Sequence, residues 1–428
     1  MQFNAGKMKS LFSFLMLVWI GCHSLPHSEE MVLVNGLRVV LLKKDSPITS
    51  AVFFLDCTAD VDPRLTDITS KLLLRGTEVR SSEQIHQEVE SLGGRIGAET
   101  GQTISILHVQ APEETFSECF TILCECITQP TFDEEQIQSA EFRKPELRSV
   151  LFEDMRLLKD DSIREMLFYG SPLGNIRNSD QKPYSREEIV KHYKFWYRPT
   201  NMVLAVVGRF RREEILRKVS SLWTSPEFKR PFLRSEFPLG KLADVREKRV
   251  VSNTPFDRTL IGFRAPSYLK EPFFVVRLLE VLLASGENSL LPHRFRSEGK
   301  TDYEARAYYH YEGVYGYFVI AVDSPPGCGD EARCIVFDVL DAIKNRKIPI
   351  ESLEIAKRKI LFEFAYRFQF TFRCATFLAA SIFYNAPYRT FSSLEERIVR
   401  ITPEEVQRGA EDLFAEPVVW ISQTRQGP

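Results

Sequence analysis

The order of apolar and polar positions divides the chain into two halves of similar design. The first half starts at residue 31 with "MVLVNGLRVVLLKK", an alternating strand, a glycine turn and a second strand, and it ends near the buried strand "NMVLAVVG". The second half repeats this order with the strand "RTLIGFRAP", the apolar helix "FFVVRLLEVLLASG", the strands "YEARAYYHYEG" and "YGYFVIAVDSP", long helices from "PIESLEIAKRKILFEFAYRFQ" and the late strand "PVVWISQ". Alternation indicates half-buried strands, and apolar residues three and four apart indicate helices.

The grouping of these elements predicts the fold class. Residues 225–245 contain three prolines and mixed charges, which is typical of a linker. Strands that come first, followed by a helical stretch and one late strand, favour α+β over a doubly wound parallel sheet. We therefore predict two homologous α/β sandwich-type domains, residues 31–224 and 246–428, each an antiparallel-rich sheet with helices packed on it. We expect them to be joined by the linker in a clam-shell arrangement.

The N-terminus resembles an export signal. Lys7 and Lys9 precede the apolar run Leu11–Gly21, which suits a secretory signal and is too short to span a bilayer. Cys22 follows at once, as in a bacterial lipobox, although Trp19 stands where leucine is usual. We expect residues 1–22 to direct export to the bacterial periplasm or envelope membrane, with Cys22 as a lipidation site. The alternative is an ordinary signal peptide in which Cys22 is incidental.

Composition excludes some functions. The chain has 428 residues, 44% hydrophobic and 27% charged, with a net charge of −2, so no overall positive field favours nucleic acid. The cysteines of "CFTILCEC" (119–126) lie in an apolar, helix-like run, which indicates buried thiols rather than a metal cluster. Zinc hydrolysis commonly uses two histidines on one helix face with a glutamate beside them. Of the seven histidines, only His23 and His27 are four apart, and they lie beside the expected cleavage site, so ligand spacing shows no catalytic zinc site.

Several motifs in order resemble the insulinase/pitrilysin-type metallopeptidases, the inverted-motif HxxEH zinc enzymes, and most closely their processing-peptidase-like branch. The motifs are "RLTDITSKLLLRGT" (64–77), "LGGRIGAETGQT" (92–103), "ELRSVLFEDMR" (146–156), "HYKFWYRPTNMVLAVVG" (192–208), "RSEGKTDY" (296–303) and "ITPEEVQRGAEDLF" (401–414). The resemblance covers most of residues 31–428.

The resemblance places the family's zinc residues on positions that have changed. Its first zinc histidine falls on Asp67, its base glutamate on Ser70 and its second histidine on Lys71, while the distal carboxylates fall on Glu153 and Glu146. A lysine is a cation where a ligand is needed, and a serine is a weak base, so we expect neither bound zinc nor independent zinc proteolysis. One hypothesis is that Lys71 places its ammonium near the vacated metal position and pairs with Glu153. The alternative is that Lys71 points to solvent.

The resemblance also implies peptide binding. In the family an arginine and a tyrosine of the second domain contact the substrate, and they fall on Arg296 and Tyr303; the alternative is a surface arginine and a sheet tyrosine. The strand that contains Gly97 and Ala98 pairs with an extended peptide in the family. Strand addition needs a free sheet edge and no zinc, so it can outlast catalysis.

The leading interpretation is a zinc-less subunit that binds peptide or unfolded polypeptide beside an HxxEH partner chain. A second is a stand-alone homodimeric pseudoenzyme with a scaffold or peptide-binding role. A third is a hydrolase that uses Asp67, Glu146 and Glu153 with Mg or Mn, the metals that carboxylate sites prefer.

Overall fold

The computed structural model describes most of the chain. It covers residues 28–57, 62–101, 103–140, 156–174, 183–223, 242, 246–252, 255–267, 271–312, 315–386, 390–415 and 419–425. The linker predicted at 225–245 therefore lies outside the described residues except at Leu242, and the expected signal segment, residues 1–22, also lies outside them.

The strands form two sheets, which share one topology apart from the additional edge strand β1 in the first. The first contains β1 (Glu29–Val32), β2 (Arg38–Lys43), β3 (Ile48–Asp56), β4 (Arg95–Thr100), β5 (Ile104–Pro112) and β6 (Met202–Gly208), in the order β1-β2-β6-β3-β5-β4. The second contains β7 (Arg246–Ser252), β8 (Asp257–Ala265), β9 (Glu304–Glu312), β10 (Tyr315–Ser324) and β11 (Val419–Arg425), in the order β7-β11-β8-β10-β9. In each sheet the late strand pairs in parallel with the first core strand, and the remaining pairs are antiparallel. The predicted duplication and the α+β class are confirmed.

Helices pack on both sheets. In the first half they are α1 (Pro63–Leu72), α2 (Ser82–Ser91), α3 (Phe116–Thr128), α4 (Arg156–Leu167), α5 (Arg186–Trp196) and α6 (Arg212–Ser220). In the second half they are α7 (Phe273–Ala284), α8 (Leu290–Ser297), α9 (Gly329–Asn345), α10 (Ile350–Gln369), α11 (Thr371–Phe383), α12 (Phe391–Arg400) and α13 (Pro403–Leu413). Strands β3 and β6 are buried on both faces, which explains their nearly continuous apolar sequences. The cysteines of α3 are buried free thiols, as expected.

Each half also contributes a helix to the sheet of the other half. Helix α4 packs on the second sheet. Just after the helix, the ring centroids of Phe168 and Tyr315 are 5.2 Å apart. Helix α11 packs on the first sheet, where the rings of Phe383 and Phe54 are 5.3 Å apart. Arg38 of β2 donates to the carbonyl of Ile382 at 2.9 Å and so satisfies an acceptor at the end of α11. The two halves therefore share their hydrophobic cores.

Candidate functional site

Helix α1 carries the stretch that resembles a zinc helix, and its start is fixed by local chemistry. The Asp62 carboxylate accepts hydrogen bonds from the backbone N–H groups of Arg64 (3.0 Å) and Leu65 (3.2 Å). Pro63 occupies the first helical turn, where its missing N–H costs nothing. Because the helix packs against β4 and β5, its polar positions 66, 67 and 70 are buried at the sheet edge instead of facing solvent.

Ser70, at the position of the family's base, is sealed in a hydroxyl network. Its side chain is 0% exposed, and its Oγ donates to the carbonyl of Thr66 at 2.7 Å. The hydroxyls of Ser105 (2.7 Å) and Tyr197 (2.6 Å) contact the same oxygen. A serine hydroxyl has one donor and two acceptor sites, so these three bonds use its full capacity. Burial raises the pKa of Tyr197, which keeps this hydroxyl protonated and able to donate.

Asp67, at the first zinc position, is held by two partners that are not metals. Its side chain is 4% exposed, and its Oδ1 lies 2.9 Å from the Lys71 ammonium and 2.6 Å from the Thr100 hydroxyl, which donates to it. The second carboxylate oxygen is 3.1 Å from the same ammonium. Lys71, a cation, thus lies where a zinc site would need its second ligand, a group with a free electron pair. The donor set at residues 67, 70 and 71 does not fit zinc.

The predicted partner of Lys71 lies outside the described residues. Glu146 and Glu153 fall outside the described residues, so the proposed pair of Lys71 with Glu153 stays a prediction. The observed partner is Asp67, one helical turn earlier. Within the part of the chain that the structure describes, no three His, Cys, Asp or Glu side chains are grouped so as to hold a metal ion.

Replacing Lys71 with alanine is expected to destabilise the fold by about 1 kcal/mol. The buried Asp67 carboxylate would lose the ion pair with Lys71 and keep the hydrogen bond from Thr100. The loss is limited because the Lys71 side chain is half exposed, where solvent weakens an ion pair. Urea unfolding measures the effect, and Lys191→Ala, at an exposed position of α5, is the matched control. Equal stability of the two variants would contradict the role assigned to Lys71.

Strand β4, which contains Gly97 and Ala98, forms one edge of the first sheet. It pairs with β5 on one side, and no strand among the described residues pairs with its other side. Gly97 lies opposite His108, and a Cβ at position 97 would come within 2.6 Å of the His108 Nε2 atom. The glycine therefore allows the imidazole to lie beneath the edge strand. The edge is open to an extended chain, as strand addition requires.

His108 should make stability depend on pH. Burial lowers its pKa to about 4, whereas an unfolded chain titrates near 6.5, so only the unfolded state gains a proton between these values. The free energy of unfolding is therefore expected to fall by about 3 kcal/mol as the pH falls from 6.5 towards 4.

Unfolding curves of the wild type and His108→Gln over this range measure the effect. The variant should show a shallower dependence on pH, while His293→Gln, at an exposed position, should follow the wild type. A His108→Gln profile parallel to that of the wild type would show that another group is responsible.

Arg296 and Tyr303 lie at one corner of the second half. Arg296 is at the end of α8, where its guanidinium bonds the side chain and the carbonyl of Glu287. The Tyr303 ring stacks on Phe295 with centroids 5.0 Å apart. Its hydroxyl donates to the Glu331 carboxylate at 2.6 Å, and burial together with this bond raises the pKa of Tyr303. Since Glu287 and Glu331 are at least half exposed, exchange of these carboxylates for a substrate group costs little.

Sequence reasoning proposed the positions of the site and missed the contacts of their side chains. Thr100, Ser105 and Tyr197, which hold Asp67 and Ser70, were assigned no role. Tyr197 lies within the motif "HYKFWYRPTN", which gave the only hint that it belongs to the site. The predicted lipidation site, Cys22, is outside the described residues.

Two family models match the chain. The model described as Insulinase (Peptidase family M16) matches residues 65–175, and the one described as Peptidase M16 inactive domain matches residues 183–360. Together they span more than half of the sequence, including α1 and the corner with Arg296 and Tyr303. The chain belongs to the M16 peptidase family. Within this M16 chain, the positions predicted to correspond to the family's zinc motif carry Asp67, Ser70 and Lys71.

Curated relatives of this M16 chain are distant. A probable mitochondrial-processing peptidase subunit beta of Arabidopsis thaliana is 23% identical over 47% of this chain and 39% of that protein. Cytochrome b-c1 complex subunit 1 of Bos taurus is 20% identical over 45% of this chain and 42% of its own length. An uncharacterized zinc protease of Streptomyces coelicolor is 20% identical over 92% of this chain and 89% of its own. The chain thus spans less than half of the first two relatives.

Solved structures show the same fold. A peptidase M16 inactive domain from Pseudomonas fluorescens superposes with a TM-score of 0.81 at 15% identity, covering 94% of this chain and 99% of the other. At this identity the likeness establishes the architecture alone.

Among the described residues, no helix is both long and apolar enough to cross a membrane.

Proposed function

We propose that this M16 chain is a non-catalytic subunit of a heteromeric peptidase. In this account a partner chain with an HxxEH motif supplies the zinc and the base, and this chain binds the substrate. The observation that carries the proposal is the closed contact of Asp67 with Lys71 and Thr100, because it fills the first two zinc-ligand positions with a salt bridge. The buried network around Ser70 supports it, because that residue has neither the basicity nor the access of a general base.

Substrate binding is assigned to two regions. The open edge of β4, at Gly97 and Ala98, offers main-chain hydrogen bonds to an extended peptide or an unfolded polypeptide. Arg296 and Tyr303 supply a guanidinium and a hydroxyl that suit peptide carbonyl and carboxylate groups. Each is held by an exposed carboxylate that a substrate can displace.

The location follows from the N-terminal sequence. A subunit with the basic and apolar segment of residues 7–21 would be exported, and Cys22 would attach it to a bacterial envelope membrane. The partner chain would then be exported to the same compartment.

A second candidate function is a stand-alone homodimeric pseudoenzyme with a scaffold or peptide-binding role. Similarity to cytochrome b-c1 complex subunit 1, a component of a larger assembly by its name, favours this alternative. It requires no zinc-bearing partner.

Co-purification of the tagged full-length chain from its native host in mild detergent separates the two functions. The proposal predicts a stoichiometric partner that carries HxxEH, identified by mass spectrometry. Recovery of the chain only with copies of itself would reject the partner role and favour the homodimer.

A further inference from the structure

Helix α10 has an apolar face that the described residues leave exposed. One side of the helix packs in the core through Leu353, Ile360 and Phe364. The opposite side exposes large apolar residues in one line, which continues to the residue after the helix: Ile355 (54% exposed), Phe362 (70%), Tyr366 (54%) and Phe370 (51%). With two exposed arginines, Arg358 and Arg373, these residues form what we call the outer face of α10.

The aromatic rings form a continuous row. The centroids of Phe362 and Tyr366 are 6.3 Å apart, and those of Tyr366 and Phe370 are 5.4 Å apart. From Phe362 to Phe370 the row extends for about 12 Å at the rise of an α-helix, and Ile355 lies two turns before Phe362 on the same side of the helix. Singly exposed apolar side chains need no explanation, whereas a continuous row of this length indicates a contact surface.

The charge of the outer face is positive. Arg358 and Arg373 are exposed, and neither of them makes an ion pair within the part of the chain that the structure describes. The only acidic residue between positions 355 and 373 is Glu363, and its carboxylate is held by Arg277 at 2.6 Å.

Neighbouring groups do not reverse this charge. Lys44 of the first half donates to the Gln369 carbonyl at 2.9 Å, which brings a further cation to the C-terminal end of the helix. Glu351 lies at the opposite end, one turn before Ile355. The occupant of the face should therefore be apolar along the row and negative beside it.

We propose that the outer face of α10 docks the protein on an anionic phospholipid surface. Aromatic side chains favour the interfacial region of a bilayer, and arginines beside them bind phosphate headgroups. Pairing with a second copy of the same face is disfavoured because it would bring the arginines of both copies together. The expected lipidation at Cys22 would support this docking, because a tether raises the local concentration of the face at the bilayer.

Vesicle partitioning of the full-length chain tests the proposal. Vesicles of equal phosphatidylglycerol and phosphatidylcholine should bind the wild type, with affinity that falls as salt rises. Each arginine near an anionic surface contributes about fivefold to the partition coefficient, so Arg358→Gln/Arg373→Gln should weaken binding by about 25-fold. The variant Phe362→Ala/Tyr366→Ala should weaken binding by about tenfold or more by removing the aromatic row. Because these side chains are exposed, all variants should fold.

A matched control comes from the first half of the chain. Phe195 is 47% exposed with the Arg198 guanidinium 5.5 Å from its ring centroid, so Phe195→Ala/Arg198→Gln removes a similar pair elsewhere. This control should bind like the wild type. A local readout separates binding through α10 from binding through the N-terminal segment. Brominated lipids should quench the fluorescence of the tryptophan added in Tyr366→Trp. In Phe195→Trp, quenching should be no greater than that of the native tryptophans in the wild type.

Three results would overturn the proposal. The first is an absence of vesicle binding by the wild type. The second is binding that survives both α10 variants, which would assign it to the N-terminal segment. The third is a change of sedimentation coefficient in the α10 variants without a change in vesicle binding, which would make the outer face a protein interface.

Discussion

Ser70→Glu, which places a glutamate at the position predicted for the family's base, is expected to destabilise the protein by about 3 kcal/mol or more. The Ser70 side chain has no exposed surface, and three oxygen atoms lie within 2.7 Å of its Oγ. A glutamate would add two carbon atoms and a second oxygen to a packed site, at a cost of about 1–3 kcal/mol. It would also bury a carboxylate whose nearest helical cation, Lys71, is already bound to Asp67. Urea unfolding measures the loss.

Smaller changes at this position separate the causes. Ser70→Ala should cost about 1–2 kcal/mol, because it removes the hydroxyl that satisfies Ser105 and Tyr197 without adding volume. Tyr197→Phe should give a similar loss through the same network. If Ser70→Glu were as stable as the wild type, the site would have room for a base, and the conclusion that it is closed would be wrong.

Tyr303→Phe is expected to lower peptide hydrolysis by the proposed two-subunit complex by about tenfold or more. A hydroxyl that donates to a substrate carbonyl can contribute up to a few kcal/mol to catalysis when it acts as the charge develops. The ring of Tyr303 stacks on Phe295, and phenylalanine keeps that contact, so the free energy of unfolding should change by only about 1 kcal/mol. Steady-state kinetics of the complex, compared with unfolding of the isolated chain, measures both.

Glu331→Gln is the control for this variant. It weakens the contacts of the carboxylate with Tyr303 and Lys300 but keeps the tyrosine hydroxyl. Activity should be retained or increased, because the hydroxyl becomes easier to release to the substrate. If Glu331→Gln lost as much activity as Tyr303→Phe, the ion-pair network rather than the hydroxyl would support the reaction.

The sequence predicted the elements better than their contacts. Strands β2, β6, β8 and β10 were visible because alternating or continuous apolar runs report burial directly. The exchange of helices was not visible. Helix α11 is apolar because it packs on the first sheet, and α4 packs in part on the second sheet. An apolar sequence predicts that a helix is buried, but it does not predict which sheet buries it.

The candidate site shows the same limit at the level of single residues. Alignment of "RLTDITSKLLLRGT" with a zinc helix placed Asp67, Ser70 and Lys71 at the ligand and base positions. It could not show that Asp67 and Lys71 bind each other. Two residues four apart on a helix can pair, but either of them can instead pair with a residue of another element. The buried position of Ser70 depends on Ser105 and Tyr197, which are distant in sequence.

The most direct test of the account is zinc content and peptidase rate, measured for this chain, for its partner and for the two combined. The account predicts one zinc per heteromer, carried by the HxxEH chain, no metal-dependent hydrolysis by this chain alone, and a much higher rate for the complex than for the partner alone. Stoichiometric Mg, Mn or zinc on this chain with hydrolysis of its own, or a partner equally active without it, would contradict the account.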